Sequence, residues 1–193
     1  MMKWLVALLA ASIIGLAIYA GSALVSLERL AAAARASDGA TVMARTNVPR
    51  VRHAVVHQLI TAYLAKIGQT RPVKPFERMA IETFGASLAD DLANKLITPD
   101  NLSAILRTGT VRDLGAKIEF AEMPALANVD VSDVPNVLRR VQLIKPVEFE
   151  IWLGSDRSAG SISMHFEGTG WKLSSIALPA TIVAKLIERL PAR

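Results

Sequence analysis

The sequence predicts an α+β protein: an N-terminal transmembrane helix, several further helices, a curved antiparallel sheet of three or four strands, and a C-terminal helix. Three observations carry this. An apolar run opens the chain, a 3.6-residue hydrophobic period dominates its first half, and a two-residue period appears after Pro146. With 193 residues, 52% of them apolar, the chain can hold one domain with a full core plus one extra segment. That gives an anchor over 1–27 and a single domain over 28–193.

No charged residue occurs from Trp4 to Leu27. At ~1.5 Å of rise per residue, such a helix runs roughly 36 Å and crosses a hydrocarbon layer of ~30 Å with some tilt. The competing reading is a secretory signal, with Lys3 as its charged start and Gly21-Ser22-Ala23 as its cleavage site. Signal cores usually run ~7–15 residues. This one is longer and passes directly into the helix-forming Leu27-Glu28-Arg29-Leu30-Ala31-Ala32-Ala33-Ala34, which favours an uncleaved anchor. A short N-terminal tail ahead of the first apolar helix points to a single-pass inner-membrane protein with a periplasmic C-terminal domain. Arg29, Arg35 and Arg45 weigh against that orientation. The absence of cysteine excludes disulfides and thiol chemistry and fits either side of a membrane.

Beyond the anchor, Ser37-Asp38-Gly39 reads as a helix end, with Gly39 free to adopt the left-handed conformation. A short helix over 40–45 follows. Asn47-Val48-Pro49 opens a helix whose Val48, Val51, Val55, Leu59 and Ala62 share a face, closing near Gly68. Phe76, Met79, Phe84, Leu88, Leu92 and Leu96 predict the buried stripe of the next. Thr98-Pro99-Asp100 then combines a cap oxygen, a proline in the first turn and an acid at the positive end of the helix dipole; Gly109 stops that helix. From Thr110 to Asn136 the sequence is irregular, with one strand expected over 116–120.

The strands follow. Val147, Phe149, Ile151 and Leu153 alternate with Glu148, Glu150 and Trp152; Ile162, Met164 and Phe166 alternate with Ser163, His165 and Glu167. Gly168-Thr169-Gly170 reads as a hairpin into Trp171. Trp171 and Leu173 differ in parity from Ile176 and Leu178, which requires a bulge or bend near Ser174-Ser175. Pro179 ends the ladder, and Ile182, Val183, Leu186 and Leu190 line a last helix.

In order and spacing these segments resemble a bacterial family, domain of unknown function 2939. The resemblance is carried by the apolar helix, the Ser37–Gly39 break, Asn47-Val48-Pro49-Arg50-Val51-Arg52, Leu96-Ile97-Thr98-Pro99-Asp100-Asn101-Leu102, and Trp171-Lys172-Leu173 to Leu178-Pro179. The chain departs from it at Thr46-Asn47-Val48, where the family tends to carry an acid and an aromatic. The resemblance implies a single membrane-anchored α+β domain and brings no catalytic residues.

The residues themselves spell out no reaction. His53 and His57 have metal-ligand spacing, but His-Ala-Val-Val-His lacks the glutamate of a metalloprotease helix, and the ordinary reading is a pair of surface histidines. Glu148 and Glu150 share one side of a strand about 7 Å apart, a separation compatible with acid–base pairs, though a solvated sheet face is the plainer reading. Adjacent Asp90 and Asp91 diverge on their helix. No Gly-x-Ser-x-Gly elbow, phosphate loop or dinucleotide fingerprint occurs, so no cofactor is expected. Between Asp38 and Glu77 there is no acidic residue. Arg50, Arg52 and Lys66 in that segment are the candidate contacts to lipid headgroups, with a surface balanced by neighbouring acids as the alternative. Nucleic acid is excluded for want of any recognisable motif. Trp152, on the polar side of its strand, is the candidate contact to a protein partner, unless a loop or helix covers it. The expectation is a membrane-tethered, non-catalytic module binding a protein, lipid or envelope component. The alternative is a small enzyme or ligand-binding protein using a pocket between helices and sheet, with Glu148, Glu150 or a histidine.

Overall fold

The computed structural model describes residues 2–70, 72, 74–110, 123–131, 133–168 and 170–188. Its first helix, α1 (Met2–Arg35), contains both the apolar run and the alanine-rich segment without a break. The two halves differ in environment. Trp4, Leu8, Leu9, Ile13, Ile14, Leu16 and Ile18 stand exposed, whereas Leu27, Leu30, Ala31 and Ala34 are fully buried in the domain core.

α1 ends in a Schellman motif: the Asp38 amide donates to the Ala33 carbonyl at 2.9 Å and the Ser37 amide to the Ala34 carbonyl at 3.0 Å. The left-handed residue is Ser37, at φ 58°, and not the expected Gly39. Gly39 instead opens α2 (Gly39–Ala44), where a Cβ would lie 2.8 Å from the Pro99 carbonyl oxygen. Close backbone approach, not turn geometry, explains that glycine. Asp38 caps α2, accepting from the Thr41 amide.

α3 (Val48–Thr70) is capped by the Asn47 side chain, which accepts from the Arg50 amide at 3.0 Å. Val51, Val55 and Leu59 are buried on its expected face. It closes at Thr70, two residues beyond Gly68, near the expected end. α4 (Pro75–Ala80) passes through a π-helical turn over Ile81–Gly85 into α5 (Ala86–Leu96). The expected stripe holds only in its second part, where Leu96 is buried and Leu92 packs against the core. Phe76 and Met79 are 81% and 64% exposed, while Ala89, Ala93 and Leu96 are buried. A π turn inserts an extra residue into the helical repeat, so side chains before it fall out of phase with those after it. The Phe84 and Leu88 side chains lie outside the description.

α6 (Pro99–Thr108) has the expected start and stop: the Thr98 hydroxyl accepts from the Asn101 amide, and Gly109 is left-handed at φ 68°. The strand expected over 116–120 lies outside the described residues. After a short 3₁₀ turn, the Asp133 carboxylate caps α7 (Val134–Arg140), which the irregular reading of that segment missed.

The sheet is an antiparallel meander of β1 (Val141–Lys145), β2 (Glu148–Trp152), β3 (Ser161–Glu167) and β4 (Gly170–Ala177), in that spatial order. The hairpin at Gly168 has φ 56°. In the β3–β4 ladder Ser163 faces Ser175 and Met164 faces Leu173, leaving Ser174 as the extra residue of the expected bulge. β4 does not end as a bare edge. The Asn47 amide donates to the Leu173 carbonyl, the Leu173 amide donates to the Arg45 carbonyl, and the Gln58 side chain bonds the Ile176 carbonyl and the Leu178 amide. β1 forms the other edge and is exposed along four of its five residues. Pro179 precedes α8 (Ala180–Ile187), which buries Ile182, Val183, Leu186 and Ile187. One cluster of buried side chains joins α1, α3, α5, α6, the inner sheet face and α8.

Candidate functional site

Both hairpin turns, at Pro146 and at Gly168, lie at one end of the sheet, and α1 leaves the domain beside them. The junction is aromatic. Tyr19 meets Phe166 at 5.4 Å and Trp171 at 5.2 Å between ring centroids, and Trp171 also meets Phe149 at 5.1 Å and Phe166 at 5.5 Å. The Tyr19 hydroxyl donates to the Pro146 carbonyl at 2.9 Å, and the buried Trp171 indole N–H donates to the Ser22 hydroxyl at 3.0 Å. Trp171 thus joins the sheet to the helix: its apolar ring fills the core and its one donor is satisfied by α1. Tyr19 and Ser22, the latter inside the small-residue segment read as a cleavage site, are therefore part of the domain's packing.

A cleft of about 520 Å³ lies close by, lined by Pro49, Arg50, His53 and Ala54 of α3, Glu148 of β2, and Ser174 and Ser175 at the bulge, with mostly apolar surface between its few polar groups. The His165 Nδ1 lies 3.8 Å from the Glu148 carboxylate. A second cavity, of about 440 Å³, shares Pro49 and His53 and adds Arg52, Val56, Ser87 and Asp90. A third, of about 480 Å³, lies around Ser37, Lys95, Asn101, Ser103 and Arg107. His53 and His57 are both exposed on α3, and His165 faces Glu148 from the sheet. Among the described residues no group of three His, Cys, Asp or Glu side chains could hold a metal ion.

Two basic residues of α3, Arg50 and Arg52, have partners from other elements. The Arg50 Nε lies 3.6 Å from Glu167, whose carboxylate also accepts from the Asn47 amide side chain at 2.6 Å. The Arg52 Nε lies 3.3 Å from Asp90, and its guanidinium donates to Asn94 at 3.1 Å. Lys66 is exposed, about 24 Å of helix beyond Arg50 by the ~1.5 Å rise per residue, past the Gln58 contact with the far end of β4. The structure does not bring Lys66 together with Arg50 and Arg52. Trp152 is half-buried, with its Nε1 sequestered and without a hydrogen-bond partner among the described residues.

Glu150 departs from the solvated face expected of it. It is only 3% exposed, accepts from the Ser161 hydroxyl and from the Arg157 Nε at 3.2 Å, and is ion-paired to the Arg157 Nη2 at 3.1 Å. The β2–β3 loop folds Arg157 back over it, so Glu148 and Glu150 sit in different environments. A short arginine-bearing loop after the strand was the signal available for this pairing.

The fold defines an α+β protein with an N-terminal helix long and apolar enough to cross a membrane, as length and composition go; Ala7–Arg35 reaches a mean hydropathy of 2.1 in its most apolar window. Residues 12–105 match the model of a family described as Protein of unknown function (DUF2939), which bears out the resemblance over that stretch. The match takes in the Ser37 break, the Asn47–Arg52 segment and the Thr98 cap; Trp171 to Pro179 lie beyond it. No curated protein and no solved structure matches the chain.

Proposed function

We propose that this protein is a single-pass, membrane-anchored, non-catalytic module whose domain stands at the periplasmic face of the inner membrane. There it presents the α3–sheet cleft to a protein, a lipid or an envelope component. The observation that supports this most is the continuity of α1, whose exposed apolar half runs without a break into a half whose Leu27, Leu30, Ala31 and Ala34 are fully buried. A cleavable signal is discarded after export, and its residues have no reason to complete the domain. Here Tyr19 and Ser22 satisfy polar groups of the sheet, so removing residues 1–23 would leave the Trp171 indole N–H without its acceptor.

The cleft suits an amphipathic ligand, since its surface is mostly apolar while Arg50, His53, Glu148 and Ser175 line it. Placing a photocrosslinking side chain at His53 in cells tests the binding role. A discrete, reproducible adduct that is lost on Glu148→Lys supports it, and an unmodified chain after irradiation contradicts it. Reporter fusions at Arg193 test the side of the membrane: alkaline phosphatase active and green fluorescent protein dark is the expected pair.

A further inference from the structure

The part of α1 that stands free of the domain is too short for its task. Trp4 to Ile18 measures about 22 Å at ~1.5 Å per residue, against a hydrocarbon layer of ~30 Å. The missing 8 Å or so falls at residues 19–23, where the helix is no longer alone. The Tyr19 hydroxyl holds the Pro146 carbonyl there, at the tip of the β1–β2 hairpin. Burying the whole anchor therefore brings that tip into the outer layer of the bilayer, unless the bilayer thins to meet it.

The tip is built for such a depth. Leu143, Ile144 and Val147 are 67%, 45% and 40% exposed, with only Lys145 and Pro146 among them. Backbone polar groups are costly away from water. Here Pro146 has no N–H to satisfy, its carbonyl accepts from Tyr19, and the Val147 carbonyl accepts from the Phe166 amide at 2.8 Å. The register break between Leu143 and Lys145 frees Ile144 from the ladder. The Lys145 side chain is two-thirds exposed and long enough to reach headgroups from an apolar surrounding. Both turns are flanked by an ion-paired carboxylate, Glu148 with Lys145 at 4.0 Å and Glu167 with Arg50 at 3.6 Å, but the described part of the second turn continues through Gly168 with no exposed large apolar side chain. Of the two turns, the exposed apolar side chains therefore lie on the one whose tip carbonyl accepts from Tyr19.

We infer that the β1–β2 hairpin tip is a second membrane contact, inserting Ile144 and Val147 among the headgroups and upper acyl chains beside the anchor and fixing the tilt of the domain on the bilayer. The inference rests on α1 spanning the membrane, and its test separates the two. The chain has no cysteine, so single labels can be placed at Val147→Cys, Ile144→Cys, Ser155→Cys and Ile13→Cys. Ser155 is exposed on the β2–β3 loop at the opposite end of the sheet, and Ile13 lies on the exposed half of α1. The full chain, carrying an environment-sensitive fluorophore, is reconstituted into vesicles of phosphatidylethanolamine and phosphatidylglycerol, with doxyl-labelled lipid as quencher. The expected result is strong quenching at Ile13 and severalfold more quenching at Val147 and Ile144 than at Ser155, greatest with the doxyl group near the headgroup. Quenching at Ile13 with Val147 and Ile144 no different from Ser155 overturns the hairpin contact and leaves the anchor standing. An unquenched Ile13 overturns both.

Discussion

Tyr19→Ala, made in the full chain in detergent, is the substitution that most exposes the double use of α1. It removes ring contacts to Phe166 and Trp171 at 5.4 and 5.2 Å and the hydrogen bond to the Pro146 carbonyl. Aromatic pairs contribute about 0.5–1.5 kcal/mol each beyond area and a hydrogen bond about 0.5–1.5 kcal/mol, so the loss is about 2–4 kcal/mol. For a domain of this size each kcal/mol lowers the midpoint by about 2–4 °C, so the unfolding midpoint drops by about 5–15 °C. Tyr19→Phe keeps the rings and loses only the hydrogen bond, so its drop is about 1–6 °C. Leu9→Ala, on the exposed half, leaves the midpoint unchanged. Thermal unfolding followed by near-ultraviolet circular dichroism reads all three, because Trp171 lies in the affected cluster. A Tyr19→Ala midpoint equal to that of Leu9→Ala would refute the reasoning, since the domain would then begin only after residue 19.

Five further outcomes follow from particular contacts. Arg157→Ala strips the buried Glu150 carboxylate of its cation and costs about 1–3 kcal/mol by chemical denaturation, while Arg157→Lys recovers part of it. Ser37→Gly relieves a left-handed serine in the Schellman motif and stabilises by up to about 1 kcal/mol, whereas Gly39→Ala drives a methyl onto the Pro99 backbone and destabilises by about 1–3 kcal/mol. Thr98→Ala removes the cap of α6 and costs about 1 kcal/mol in the same assay. The Thr41 hydroxyl, and then the Thr41 amide, hold the Asp38 carboxyl below its ordinary value of 3.8. A depressed carboxyl stabilises the fold above its unfolded pKa and loses that contribution as pH falls through the folded value. The midpoint difference between the native chain and Asp38→Ala is therefore steady near neutrality and shrinks as pH drops below 3.8.

Where local chemistry decides structure, the sequence was legible. Thr98-Pro99, Gly109, the Gly168 hairpin and the parity change at Ser174 each carry their own geometric requirement, and the structure meets each one. The misreadings arise where the deciding partner is distant. Nothing near Gly39 announces that the Pro99 backbone will press against it, and nothing in the Phe76–Leu96 period shows that a π turn will rotate its first third into solvent. β1 was invisible because an edge strand exposed on both faces has no alternation to detect. At Arg50 and Arg52 the basic run of α3 looked unbalanced because their partners, Glu167 and Asp90, are far along the chain. The same holds for Tyr19. Its place in an apolar run suggested a membrane residue, and only the folded sheet brings Phe166, Trp171 and Pro146 to it.

The central claim, that one uninterrupted helix is both membrane span and core element, is tested most directly by the intact mass and fractionation of the protein isolated from cells. A mass that includes residues 1–23, in a form that stays in the membrane pellet through alkaline carbonate washing, is the expected result. A mature chain beginning at Leu24 and recovered in the soluble fraction would contradict it.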